Sequence, residues 1–138
     1  MKLAIWLLTL QLINAGSQGK VEATSPDRTK RPQIVEADCE GNAAILDALN
    51  ATAGTEGTII AIARPGMGEV ENVSRRRLLM VQSYLTKTPW QRERETVVVA
   101  VGEKVQGESR VDFYVAGQHL YSLRLRKNRN FAVYNCAA

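Results

Sequence analysis

Two short runs of apolar residues constrain the fold of this chain most strongly. Residues 58–63 (TIIAIA) and residues 96–101 (TVVVAV) contain no charged side chain. Uncharged runs of this length, rich in β-branched residues, are typical of strands whose two faces are both covered. We therefore expect both runs to be buried strands of a sheet on which helices pack.

Helical periodicity precedes and separates the two runs. A first helix is predicted over Ala43–Ala51, with its start signal at Gly41 and Asn42. A second helix is predicted from Ser74, as its N-cap, to about Leu85. Each helix carries an apolar stripe that would face the sheet.

Further strands are predicted on either side of these elements. Residues 33–37 form a short strand candidate, and the alternating segments 110–115 and 120–125 flank a turn at residues 116–119, which predicts a hairpin. Residues 131–134 are a candidate for a last strand. The order is strand, helix, strand, helix, strand and hairpin, which predicts an α+β protein with two helices packed on a mixed sheet.

The start of the chain has the features of a secretory signal peptide. Lys2 is followed by an apolar stretch, Leu3–Ile13, and then by small residues, so cleavage is expected after Ala15 or Ser17. An uncleaved amphipathic anchor is the alternative. We therefore divide the chain into a signal peptide (1–17), a polar flexible leader (18–32) and one domain (33–138).

The two cysteines lie near the ends of the predicted domain. If the chain is exported, Cys39 and Cys136 meet an oxidising compartment, and no third thiol competes for pairing. A disulfide is the first interpretation. The alternative of two reactive or metal-binding thiols has no neighbouring histidine and no CxxC spacing to support it.

The composition argues against several classes of function. His119 is the sole histidine and there are two cysteines, which is too few for a usual zinc site or for histidine-based catalysis. The formal net charge of +4 is too small to indicate nucleic acid. We expect a binding domain without catalytic residues, metal or cofactor, and not an enzyme.

Three consecutive arginines mark a candidate binding site. Arg75, Arg76 and Arg77 fall in the first turn of the predicted second helix, where the helix dipole disfavours cations. Arginines beside exposed amide groups attract carboxylate or phosphate, and Arg77 lies nearest the apolar face. The alternative is a solvated basic face that covers part of the core.

A second basic cluster follows the predicted hairpin. It consists of Arg124, Arg126, Lys127 and Arg129. One interpretation is a charged edge that resists aggregation, and the other is an electrostatic dock for an anionic polymer or a lipid head group.

The stretch from Gln33 to Gly117 resembles the OmpA-like domain, the peptidoglycan-binding module of Gram-negative cell envelopes. The resemblance is carried by the second helix and by the strand that begins the hairpin; the matching residues are Ser74, Arg77, Val81, Tyr84, Leu85, Arg110, Val111 and Asp112. It implies a β-α-β-α-β-β sandwich in a bacterial cell envelope. It also implies that Arg77 holds a carboxylate of the diaminopimelate in a peptidoglycan stem peptide.

The chain departs from the family pattern where the ligand's ammonium group would be received. The family has an aspartate there, whereas Ala63 and Arg64 occupy the matching positions, and Glu69 and Glu71 are the nearest acids. The candidate ligand-binding residues are therefore Arg77, Arg64, Ser74, Glu69 and Glu71.

Two functions follow from this partial resemblance. The first is a non-catalytic periplasmic or secreted domain of the outer-membrane region that recognises the peptidoglycan stem-peptide carboxylate through Arg77. The alternative is a protein-protein interaction module that kept the OmpA-like scaffold and lost peptidoglycan binding. The expected partner is peptidoglycan or an envelope protein, with no nucleic acid and no transmembrane segment after signal cleavage.

Overall fold

Seven helices and strands follow one another in the part of the chain that the computed structural model describes, residues 30–87, 96–134 and 136. The predicted signal peptide and most of the leader lie outside these residues. The elements are β1 (Gln33–Glu36), α1 (Cys39–Ala53), β2 (Ile59–Arg64), α2 (Glu71–Lys87), β3 (Val97–Val101), β4 (Ser109–Val115) and β5 (Gln118–Leu125).

The five strands form one mixed sheet in the order β1-β5-β4-β2-β3. The pairs β1/β5 and β2/β3 are parallel, whereas β2/β4 and β4/β5 are antiparallel. Both helices pack on one face, where they share a core with the buried positions of β2, β4 and β5. The predicted α+β class, with two helices on a mixed sheet, is confirmed.

The first helix begins earlier than predicted. The side chain of Asp38 accepts a hydrogen bond from the backbone N–H of Gly41 at 2.6 Å, and the carbonyl of Asp38 accepts from the N–H of Asn42 at 2.9 Å. An aspartate in this position is a strong N-cap. Helix α1 therefore starts at Cys39, and Gly41 and Asn42 lie inside its first turn rather than before it.

The second helix also begins earlier, which changes the setting of the arginines. Helix α2 starts at Glu71, so the prediction that Ser74 is its N-cap was wrong, and Ser74 is buried within the helix. Arg75, Arg76 and Arg77 consequently lie beyond the first turn of α2, where the helix dipole has little effect on a cation. The helix instead opens with Glu71, the charge that the positive end of a helix prefers.

The second apolar run forms an edge strand rather than an inner one. Strand β3 pairs with β2, and Val98 and Val101 are 50% and 43% exposed. The prediction that this run is buried on both faces was wrong because both helices pack on one face of the sheet, so Val97 and Val99 reach the core while Val98 on the other face is exposed. One covered face and high β-propensity are enough to select a run of valines.

The last predicted strand is an irregular segment that nevertheless belongs to the core. Residues 131–134 are not in a strand, yet Phe131 and Val133 are 1% and 5% exposed. Their alternating burial gave the strand-like pattern. The prediction of a strand was therefore wrong, because Phe131 and Val133 reach the core from an irregular segment.

The hairpin between β4 and β5 closes through two residues. Ala116 and Gly117 both have positive φ, 50° and 76°, and Val115 pairs with Gln118. Two consecutive residues of this kind are characteristic of a type I′ turn, whose twist matches that of the flanking strands. The predicted turn at residues 116–119 was two residues too long, because β5 begins at Gln118.

A disulfide joins the first residue of α1 to the end of the described chain. Cys39 and Cys136 are bonded, with their Cα atoms 5.3 Å apart. This confirms the predicted pairing. Neither helix in the described ranges combines the length and apolarity that a membrane crossing needs.

Candidate functional site

Arg77, the arginine singled out from the sequence, lies almost completely inside the protein. Its side chain is 1% exposed, and that of Glu69 is 0% exposed. The guanidinium meets the Glu69 carboxylate through two nitrogens: Nη1 donates to Oε2 at 2.8 Å, and Nη2 lies 2.8 Å from Oε1. This two-pronged geometry is the strongest arrangement of an arginine and a carboxylate.

The other donors of Arg77 bind the loop that follows β5. Nε donates to the carbonyl of Arg129 at 3.0 Å, and Nη2 donates to the carbonyls of Arg129 and Arg126 at 2.7 and 3.2 Å. The arginine therefore joins helix α2 to this loop. Its position in α2 follows from the apolar face that Leu78 and Val81 bury beside it.

Glu69 completes the same connection from the other side. Its Oε1 accepts from the backbone N–H of Asn128 at 3.0 Å. Burial opposes ionisation of this carboxyl, but hydrogen bonds from Arg77, Ser109 and the Asn128 amide outweigh burial and hold the pKa of Glu69 below its ordinary value. The group is thus a carboxylate at neutral pH, paired with a buried cation.

The buried pair fixes the shape of residues 126–129, which we call the basic loop. The N–H of Arg129 donates back to the carbonyl of Arg126 at 3.1 Å, and Asn128 has a positive φ of 58°. The backbone faces inward to Arg77 and Glu69, while Arg126, Lys127 and Arg129 are exposed. The sequence marked these cations but gave no sign that their backbone binds Arg77.

The structure separates the remaining predicted site residues. Ser74 is buried, and its Oγ has no hydrogen-bond partner among the described residues. Glu71 is 72% exposed and pairs with Arg75 along α2, at 2.9 Å. Of the five predicted ligand-binding residues, Arg77 and Glu69 are in direct contact, and Glu71 takes no part in that contact.

Arg64 belongs to a different cluster, on the sheet face turned away from the helices. Positions 59, 61 and 63 of β2 are buried under the helices, so the alternate positions, including Arg64, point to the opposite face. There Nε of Arg64 donates to Oδ2 of Asp112 at 2.7 Å. Arg64 and Arg77 therefore do not form one binding site.

Asp112 is the centre of this second cluster, and sequence reasoning marked it only through the family resemblance. It is 1% exposed and accepts from Arg64, from Nε of Arg110 at 3.2 Å and from Oγ of Ser122 at 2.7 Å. Burial by itself would raise the pKa of Asp112. The hydrogen bonds from Ser122, Arg64 and Arg110 have a larger effect in the opposite direction, so the pKa lies below its ordinary value.

A histidine and a serine also meet in this cluster, in an arrangement unlike a catalytic triad. Nε2 of His119 lies 3.0 Å from Oγ of Ser122, and the hydroxyl of Ser122 donates to Asp112. In a triad the serine hydroxyl donates to the histidine, which accepts its proton as a base. Here the proton of Ser122 points to Asp112, so the three groups stabilise strand pairing between β4 and β5.

Within residues 30–87, 96–134 and 136, no group of three His, Cys, Asp or Glu residues is arranged to hold a metal ion. No protein-family model, curated protein or solved structure matches the chain.

Proposed function

We propose that this chain is a non-catalytic binding module of the bacterial cell envelope that recognises another protein, built on an OmpA-like scaffold. The observation that carries the proposal is the contact between Arg77 and Glu69. In the family that the chain resembles, the matching arginine receives a ligand carboxylate. Here a carboxylate of the same chain occupies the guanidinium.

The energetics of the pair favour the internal partner. A ligand carboxylate would have to displace Glu69, which would lose its arginine and also its bond from the Asn128 amide. A buried charge deprived of its partner is costly, commonly by about 3–5 kcal/mol. The incoming carboxylate would in addition lose its own hydration, so the exchange offers little net gain.

The disulfide supports the proposed location. Stable disulfides are found mainly in proteins exposed to oxidising compartments, such as the bacterial periplasm and the extracellular space. The bond between Cys39 and Cys136 closes most of the domain. We therefore place the proposed binding function outside the cytoplasm.

Sedimentation with purified, insoluble peptidoglycan separates this proposal from recognition of the stem peptide by Arg77. We expect the wild-type protein to remain in the supernatant at low salt. Saturable co-sedimentation of the wild type, retained in Arg76→Gln but abolished in a folded Arg77→Lys variant, would establish the rival function and overturn ours. Arg76 is the matched control because it is exposed on the same helix.

The positive test is site-specific photo-crosslinking in cells. Leu79 on α2 and Val98 on β3 are large apolar side chains that are 64% and 50% exposed, so we would place the crosslinker at each. The expected product joins the chain to one envelope protein, which then binds the purified domain saturably. Glu56, exposed in the turn after α1, is the control position. Failure of both apolar positions to yield a protein that rebinds would contradict the proposal.

A further inference from the structure

Three arginines form one row across the sheet face that is turned away from the helices, which we call the open face. Arg64 of β2 pairs in register with Arg110 of β4, and Arg110 pairs in register with Arg124 of β5. Residues directly opposite each other in neighbouring strands have Cβ atoms about 5 Å apart, and like charges in such positions repel each other. This arginine row lowers the stability of the sheet, which indicates a role other than strand pairing.

The carboxylates beside the arginine row neutralise it incompletely. Asp112 pairs with Arg64 at 2.7 Å and with Arg110 at 3.1 Å. Glu36 lies 3.6 Å from Arg124. Among the described residues, no other carboxylate is within ion-pair distance of the three guanidiniums. Two negative charges therefore face three positive charges, and Arg64 and Arg110 share a single carboxylate.

Asp112 fixes the two arginines without using the outer ends of their guanidiniums. It is 1% exposed, and Oγ of Ser122 donates to its Oδ1 at 2.7 Å. Both Arg64 and Arg110 donate to Asp112 through Nε, the inner nitrogen of the guanidinium. Their side chains remain 25% and 41% exposed. The outer Nη groups of this fixed pair are therefore positioned to meet a second carboxylate.

Branched apolar side chains continue the open face beyond the arginine row. Ile62 and Ile60 lie two and four positions before Arg64 on the same face of β2, and Val98 and Ala100 lie beside them on β3. Val98 is 50% exposed, and Ala100 is exposed as well. Both helices pack on the opposite face. A partner on the open face would therefore meet cations at one end and apolar side chains at the other.

We propose that the open face docks an extended segment of the partner protein in which acidic residues are followed by branched apolar residues. The acidic side chains pair with the outer ends of Arg64 and Arg110, and the apolar side chains cover Ile60, Ile62 and Val98. Charge complementarity selects this occupant, because the fork of an arginine matches a carboxylate in geometry as well as in charge. The proposal rests on the protein-binding function above and specifies its surface and the chemistry of its partner.

A synthetic peptide tests this docking by NMR titration of the ¹⁵N-labelled protein. N-acetyl-Glu-Ser-Glu-Ser-Val-Ser-Val-amide places its acidic and apolar side chains at every second position, and such positions lie about 6.6 Å apart on one side of an extended chain. We expect saturable shifts of the backbone amides of Arg64, Arg110 and Ser122. The same peptide with glutamine in place of both glutamates should bind about tenfold more weakly. Equal binding of the two peptides, or no saturable shift up to about 10 mM, would overturn the proposal.

Charge-matched variants separate the arginine row from a general effect of positive charge. Arg110→Gln should weaken binding of the glutamate peptide by about tenfold. Arg76→Gln removes the same charge from an exposed position of α2, on the other side of the sheet, and should leave binding unchanged. Circular dichroism establishes that both variants are folded. Equal losses in the two folded variants would contradict a specific site.

Vesicles of phosphatidylglycerol test the other anionic surface that the arginine row could meet. We expect no co-sedimentation of the protein with these vesicles at physiological ionic strength, because three partly neutralised cations bind a screened lipid surface weakly. Saturable sedimentation that is lost in Arg110→Gln and kept in Arg76→Gln would assign the open face to a lipid surface and overturn the proposal.

The crosslinking experiment distinguishes failure of this docking surface from failure of the binding function. We expect the envelope protein to crosslink from Val98, on the open face, and to rebind Arg110→Gln about tenfold more weakly than the wild type. If it crosslinks only from Leu79, on α2, and rebinds Arg110→Gln with unchanged affinity, the docking proposal is wrong and the binding function stands.

Discussion

At the scale of single residues, the contact between Arg77 and Glu69 keeps two opposite charges away from water. Removing one partner of such a pair leaves the other charge buried and uncompensated, which is far more costly than losing an exposed pair. Two glutamates near the start of α2 provide the comparison. Glu69 is fully buried against Arg77, whereas Glu71 is exposed beside Arg75.

We predict that Glu69→Gln lowers the free energy of unfolding by about 3–5 kcal/mol. The same substitution at the control position, Glu71→Gln, should change it by less than about 0.5 kcal/mol, since exposed pairs along a helix contribute little. Urea denaturation of both variants and the wild type measures the two effects. Similar losses in both variants would show that the Arg77–Glu69 contact is not the buried pair described here.

The acid dependence of this difference follows from the lowered pKa of Glu69. Burial raises that pKa, but the bonds from Arg77, Ser109 and Asn128 lower it more. The unfolded chain therefore binds the proton more readily, with a carboxyl pKa near the ordinary value of about 4.3, and acid favours unfolding. The stability gap between wild type and Glu69→Gln should be constant above about pH 5 and shrink as the pH falls below about 4. A gap that grew in acid would contradict the assignment.

The sequence located the site residues only in part. Arg77 was found because it lies on the rim of an apolar face and matches a family motif, and Glu69 because it was one of the nearest acids. Their direct contact depends on how the loop after β2 folds back on α2, which no periodicity encodes. The burial of Asn42 had no signal beyond its place at a helix start, because it depends on the packing of Ala132, 90 positions further along the chain.

At the scale of elements, the sequence predicted the type and the order of the helices and strands better than their position in the sheet and their burial. Period-two and helical patterns identify strands and helices because they depend on neighbours in the chain. The edge position of β3 and the irregular path of residues 131–134 depend on which strands meet across the sheet. The start of α1 was placed too late because the cap is Asp38, three residues before Gly41. Helix α2 likewise starts at Glu71, three residues before the predicted cap at Ser74.

The hairpin turn offers an element-scale prediction, because Ala116 adopts a conformation that suits asparagine better. Its φ is 50°, and the following Gly117 completes a turn for which Asn-Gly is the preferred pair. Ala116→Asn should raise the free energy of unfolding by about 0.5–1 kcal/mol. Thermal denaturation followed by circular dichroism measures the change.

The matched control for this prediction lies in helix α1. Ala51 is exposed and helical, so Ala51→Asn should lower the free energy of unfolding by about 0.5 kcal/mol, as expected from helix propensity. The same substitution is therefore expected to have opposite signs at the two positions. If Ala116→Asn lowered the free energy of unfolding, the positive φ of Ala116 would not destabilise the wild type.

At the scale of the whole molecule, the disulfide closes a loop of 97 positions that contains both helices and strands β2 to β5. In the chain-entropy model a loop of about 100 residues stabilises the folded state by roughly 4–5 kcal/mol. We predict that replacing both cysteines by serine lowers the Tm by at least about 10 °C. Differential scanning calorimetry with and without reductant checks this, since reductant should lower the Tm of the wild type and leave that of the double variant unchanged. Equal Tm values for the two proteins would contradict the predicted contribution.

The covalent link also determines how a mechanical load would pass through the domain. A pulling force applied at residue 39 and at residue 136 is borne by the sulfur–sulfur bond, because the two Cα atoms are 5.3 Å apart and an intact disulfide keeps them within about 7 Å. Strands β2 to β5 and both helices lie within the closed loop, so the pulling force does not act on them. Strand β1, Gln33–Glu36, precedes Cys39 and is the one described strand outside the loop, so tension on a leader anchored elsewhere would peel β1 away and leave the rest of the sheet intact.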